Sequence, residues 1–229
     1  MAVSARNLRW PWIAIGISLA VSFTMAMASP ADDVQGDLVR IMYVHVPSAW
    51  LAYTAFFVTF IGSLVYLVTR NLKADRVAAA SAEIGVFFTG LALALGMIWA
   101  KPTWGVWWTW DARLTSTLLL WLIYASYLFL RTYMADDPRM RRSAAVLGIL
   151  GALNVPIVYY SVKWFNTQHP TTFITQREKL HPDMAFALWF AVAAIGLLAV
   201  GIFLKRRLIG RLEEVRDSLL SAFEEGEMR

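Results

Sequence analysis

Six apolar blocks, at about residues 11–28, 46–69, 81–98, 114–130, 144–161 and 184–204, limit what this chain can become. The hydrocarbon core of a bilayer takes about 20 apolar residues per spanning helix, and these blocks have that length. In lipid the backbone has no water to bond to, so each N–H and C=O must be satisfied inside the segment, as a helix does. Of the 229 residues, 59% are hydrophobic and 16% charged, and mean hydropathy is +0.53. The chain reads as an all-α membrane protein of six transmembrane helices. Residues 1–204 form one membrane domain, and 205–229 a helical tail in which Leu208, Leu212, Val215, Leu219 and Phe223 recur at amphipathic spacing.

The connecting segments give an orientation. If both termini are cytoplasmic, the inner segments 1–10, 70–76, 131–142 and 205–229 hold fifteen of the 21 Lys and Arg, and the outer ones hold six. Basic residues favour the cytoplasmic side. The bilayer therefore accounts for the net charge of +5, and no nucleic-acid partner is needed. With no cysteine there is no disulfide framework and no CxxCH site for covalent heme. Arg6, Arg9 and Ala26-Met27-Ala28 imitate a secretory signal, but the long run opening on Trp10, Pro11 and Trp12 suits a retained span. Pro47 is expected in the first turn of the second span, and Glu83 as the only acidic side chain within a span.

Between the third and fourth blocks the chain reads WGVWWTWDARLT, with Trp104, Trp107, Trp108 and Trp110 within seven positions, then Asp111 and Arg113. Tryptophans anchor helix ends at headgroup level, and that is one reading. Four so close together, within an outer segment at about 99–115, also make a surface for a flat apolar ligand. In a helix, Trp104, Trp107, Trp108 and Asp111 would share one face. Asp111 and Arg113 either pair with each other or leave the arginine fork for a ligand carboxylate.

All three histidines, His45, His169 and His181, fall in outer segments. Singly each suits a solvated surface position. Two imidazoles near a tryptophan surface also suit the axial positions of a heme iron. Zinc is the rival, but no further ligand has metal-site spacing.

RIMYVHVPSAW, KPTWGVWWTWDARLT, NVPIVYYSVKWFNTQHP and the six-span layout together resemble the heme exporter protein C family, CcmC. That family belongs to the tryptophan-rich WWD heme-handling superfamily and serves bacterial cytochrome c maturation by system I. The resemblance runs from PADDVQG at Pro30 through the sixth span. It implies that His45 and His169 are axial ligands of heme b, and that Trp104, Trp107, Trp108, Trp110 and Asp111 form the heme platform. Arg40, Arg113, Asp32 and Gln35 become candidates for contacts to a heme propionate or a chaperone. Ala100 stands where the family pattern has glycine, and His181 matches no ligand.

The resemblance further implies an inner-membrane protein that hands heme, on the periplasmic side, to a chaperone (the E component). Its partners would be an ABC-transporter ATPase and membrane subunit (A and B) and a small single-span D subunit. With no GxxxxGK[ST] loop the chain is not itself the ATPase, and no catalytic residue is expected. Rival readings are a ligase acting directly on apocytochrome c and a structural or transport subunit without heme.

Overall fold

The computed structural model describes residues 9–133, 138–165, 167–169 and 180–227. Six α-helices carry the architecture: α1 Arg9–Ala28, α2 Met42–Thr69, α3 Leu72–Trp104, α4 Ala112–Tyr133, α5 Pro138–Trp164 and α6 Pro182–Glu227. Each is long and apolar enough to cross a membrane, so the chain is a multi-pass, all-α membrane protein as expected. The helices alternate in direction. One end of the bundle gathers the tryptophan segment, the start of α2 and the end of α5. Most of the third outer segment, with Pro170, lies outside the described residues.

The α2–α3 hairpin is the spine, and small residues hold it closed. A Cβ at Gly62 would lie 2.9 Å from the Ala74 carbonyl, and one at Gly85 would overlap the Phe56 ring. Phe56 stacks on Tyr124 of α4 at 3.8 Å between centroids. Ser81 donates to the Ala55 carbonyl at 2.8 Å, and Thr59 to the Ala78 carbonyl at 3.2 Å. Close approach and inter-helix hydrogen bonds are what drive association where lipid is as apolar as the side chains. On α4, Tyr124 donates to the Gly148 carbonyl of α5. On the other flank α1 packs along α6, where a Cβ at Gly201 would meet Ile15 at 2.9 Å.

Three expectations need correcting. Helix α3 begins at Leu72, well before residue 81, because Asn71 caps it by accepting from the Lys73 amide at 2.9 Å. Glu83 is therefore not the only acid in a span: Asp75, 3% exposed, lies inside α3. Its carboxylate takes a two-pronged contact from Arg131 of α4, at 2.5 and 2.8 Å. Pro47 is not in the first turn of α2 either. A 3-10 turn, Asp37–Ile41, feeds the helix, and burial of Val39, Met42 and Tyr43 starts it at Met42. Pro47 is thus interior and buried, and it leaves the Tyr43 carbonyl without its helical donor.

Helix α6 continues unbroken through Lys205 to Glu227. Arg206 on this extension binds Glu83 at 2.5 and 3.0 Å, tying the sixth helix to the third. The apolar stripe of the tail, Leu208 to Phe223, is exposed.

Removing one partner of the Asp75–Arg131 pair strands a buried charge, which costs about 3–5 kcal/mol. Arg131→Ala should therefore lower the unfolding midpoint in detergent far more than Arg206→Ala, whose half-exposed pair with Glu83 is solvated. The combination Asp75→Asn with Arg131→Gln should recover part of the loss, as thermal unfolding will report.

Candidate functional site

The tryptophan segment is not a helix. Helix α3 ends at Trp104, where Gly105 takes a left-handed conformation (φ +78°) and its amide bonds the Lys101 carbonyl. An L side chain rarely adopts that φ. Residues Val106 to Asp111 are irregular, with a bend at Trp107, and α4 starts at Ala112. The expected shared face of Trp104, Trp107, Trp108 and Asp111 therefore does not form. The break distributes the indoles to two places.

Trp104 and Trp107 line a cavity of about 340 Å³ at this end of the bundle, whose wall also includes His45, His169, Trp50, Tyr53, Trp99 and Arg113. Pockets that bury small ligands run from about 300 to 1,000 Å³ with mostly apolar walls and a few polar groups. Trp108 and Trp110 sit instead at an outward groove between α3 and α4. They make an edge-on pair at 5.6 Å, and Trp110 is 76% exposed.

Asp111 has a local task. Its carboxylate accepts from the Leu114 amide at 2.9 Å, the N-cap contact of α4, and from Thr109 at 3.4 Å. It pairs with neither Arg113 nor a cavity-lining side chain.

His45 enters the cavity from the first turns of α2, edge-on to Trp99 at 5.8 Å. It faces Gly96 of α3, where a Cβ would lie 3.2 Å from Cε1 of the ring. Its Nδ1 is buried without a hydrogen bond of ordinary geometry, although the Ala92 carbonyl is near enough to act on it. An orphaned ring nitrogen is costly in a finished apolar core, and a ligand-binding imidazole is one reason for it. Trp108 Nε1 is likewise buried without a partner.

His169 reaches the same cavity from the segment after α5. Arg113 Nη1 lies 3.3 Å from its Nδ1. A guanidinium only donates, so Nδ1 accepts, and the proton of the neutral ring sits on Nε2. A metal-binding imidazole ordinarily donates its second N–H to an acceptor. For His169 to bind a metal through Nε2, Arg113 must let go of Nδ1. An anionic group on a ligand is a natural competitor for it.

Gln35 accepts from Trp99 Nε1 at 2.7 Å and borders the cavity. The structure does not bring Asp32 or Arg40 there. Asp32 accepts from the Val34 and Gln35 amides in a tight turn. Arg40 caps α1, donating to the Ala26 and Met27 carbonyls and to Asp37. His181 is exposed and accepts from the Asp183 amide at the start of α6. No group of three His, Asp or Glu side chains converges among the described residues.

Sequence reasoning passed over Trp50, Tyr53, Trp99 and Gly96. One of them carried a signal: Tyr53 follows His45 by eight residues, two steps of four through Ala49, so a histidine facing inward brings it along.

The comparisons with known proteins decide the kinship. A family model described as heme exporter protein C matches residues 1–218. The chain belongs to that family. A heme exporter protein C of Bradyrhizobium diazoefficiens is 42% identical over 195 residues, covering 85% of this chain and 74% of the relative. That of Escherichia coli is 37% identical over 200 residues, covering 86% and 81%. A ccmC-like mitochondrial protein of Marchantia polymorpha, named for cytochrome c biosynthesis, is 35% identical over 193 residues, covering 84% and 80%.

If Asp111 acts by capping α4, Asp111→Asn should keep the unfolding midpoint because asparagine caps equally well. Asp111→Ala should lower stability by about 1 kcal/mol. Equal loss in both variants by thermal unfolding would return the carboxylate charge to a functional role.

Proposed function

We propose that the cavity binds heme b as cargo, with His45 and His169 as the protein's ligands to iron, and passes it to a periplasmic chaperone during cytochrome c maturation. The observation that carries this reading is the convergence of both imidazoles on one aromatic-walled cavity beside a single arginine. Family membership supports heme handling in cytochrome c biogenesis.

The cavity suits such a ligand physically. Trp50, Trp99, Trp104 and Trp107 offer flat apolar surface, and aromatic faces stack well on a planar ring. Arg113 offers the planar fork that matches a carboxylate, at the site of its contact with His169. When bound, the iron of heme supplies affinity for neutral imidazole nitrogen. The chain's own residues then do the positioning. His45 is held between Trp99 and Gly96, and Arg113 releases Nδ1 of His169 as it turns to the ligand's acid group. Trp107, 55% exposed at the mouth, leaves one edge of the cargo within reach of a docking partner.

In this reading both termini lie in the cytoplasm and the cavity opens on the periplasmic side of the inner membrane, which the basic segments at the opposite end support. Partners in this reading are the E-type chaperone, the A and B subunits of an ABC-transporter assembly and a small D subunit. The chain itself carries out no covalent chemistry on the cargo. A rival ligase reading would require heme attachment to apocytochrome c with this chain present and the chaperone absent.

His45→Ala or His169→Ala should abolish the bis-imidazole absorption spectrum of protein purified from heme-replete cells, and an unchanged spectrum in both would remove them as ligands. Trp107→Ala should cut heme transfer to the chaperone several-fold while membrane insertion is kept. Phe57→Ala, on an exposed face of α2 away from the cavity, should transfer normally in the same assay.

A further inference from the structure

The cavity shares a wall with the lipid-facing groove between α3 and α4. The groove is lined by Gly90, Leu93, Ala94 and Met97 of α3, by Leu118 and Trp121 of α4, and by Trp108 and Trp110 of the loop between them. Leu93 and Met97 line the cavity as well.

Helix geometry shows why. At about 100° per residue, and with Ala92 set at zero, Gly96, Ala100 and Thr103 fall between about 20° and 80°, and all border the cavity. Gly90 and Ala94 fall at about 160° and 200°, toward the groove. Leu93 and Met97, at about 100° and 140°, stand between the two stripes. Leu93 and Met97 thus form the α3 side of the wall between cavity and groove. Methionine is unbranched and turns easily about three bonds.

The groove is open because Gly90 and Ala94 carry almost no side chain. Trp121 pins its far end by donating to the Val86 carbonyl at 3.1 Å. At its loop end stand Trp108 and Trp110, of the residue type that favours the headgroup level of a bilayer.

We propose that this groove is a lateral portal through which heme enters the cavity from the outer leaflet of the bilayer, past Leu93 and Met97. The inference rests on the reading of the cavity as a heme site. An amphiphilic macrocycle partitions into lipid with its acid edge at the headgroups. In that pose its flat apolar body meets a slot lined by apolar and indole side chains. Movement of two side chains then joins slot to cavity without parting the α2–α3 hairpin.

The test fills the slot without touching the cavity. Full-length protein without heme is reconstituted into vesicles and loaded either from hemin dissolved in the same bilayer or from hemin carried on albumin in the water. Appearance of the bis-imidazole bands gives the rate. Ala94→Trp and, from the opposite wall, Leu118→Trp should slow loading from the bilayer at least tenfold, with loading from albumin and final occupancy unchanged. Phe57→Trp, a lipid-facing control on α2, should alter neither rate. Bilayer loading within twofold of the parent in both groove variants would overturn the portal, as would equal slowing by both routes. Absence of the bands in the parent protein would instead remove the heme reading, and the portal with it.

Discussion

The close contact of α2 with α3 is the constraint on which the rest of this molecule depends. Glycine at positions 62 and 85 lets the backbones approach where any larger side chain would strike Ala74 or Phe56. Hydrogen bonds from Ser81 and Thr59 then fix the register. That register carries on for about three further turns, so that His45 of α2 meets Gly96 of α3. The same small-residue logic that closes the hairpin at one end leaves room for an imidazole at the other. A helix pair set one residue out of register would turn His45 toward lipid, because a step of one residue rotates a helix by about 100°.

Much of this was legible in the sequence. Hydrophobic blocks located six helices because a spanning segment must be long, apolar and internally bonded. The clustering of Trp104, Trp107, Trp108 and Trp110 located the end of the bundle where the site lies, and His45 and His169 do meet there. Less legible was which indole faces where. That depends on one glycine, since Gly105 ends α3 inside the motif and cancels the helical arithmetic that would align Asp111 with the tryptophans. Hydropathy also missed the start of α3, because a window average cannot know that Asp75 will be neutralised by Arg131, 56 residues away.

Several of the polar candidates make hydrogen bonds to the backbone. Arg40 satisfies carbonyls at the end of α1, Asp32 closes a turn, and Asp111 caps α4. Each lies where a chain entering or leaving the membrane leaves orphan N–H or C=O groups. In a low-dielectric setting those groups are costly to leave bare, so charged residues near helix ends are recruited to them first. Residues left over from that duty are the better candidates for chemistry. Arg113 is one: it lies in the first turn of α4, yet its guanidinium reaches across to His169 rather than to a helix terminus.

The two ends of the bundle differ in how their polar groups are satisfied. Toward the start of α3, Asp75 and Glu83 each hold an arginine from another helix, so three helices are tied together by charge. Toward its end, His45 Nδ1 and Trp108 Nε1 are buried without a hydrogen bond of ordinary geometry, His45 at the cavity and Trp108 at the groove beside it. On the proposed reading, a bound macrocycle would offer its metal to the imidazoles, an acid group to Arg113 in exchange for His169, and apolar surface to the indoles of the cavity. The ion pairs at the first end let the second remain incomplete, because helices already clasped at one terminus need less packing at the other to stay together. Binding and release can then draw on side-chain movements of Arg113, Leu93 and Met97 while the helices themselves hold their places.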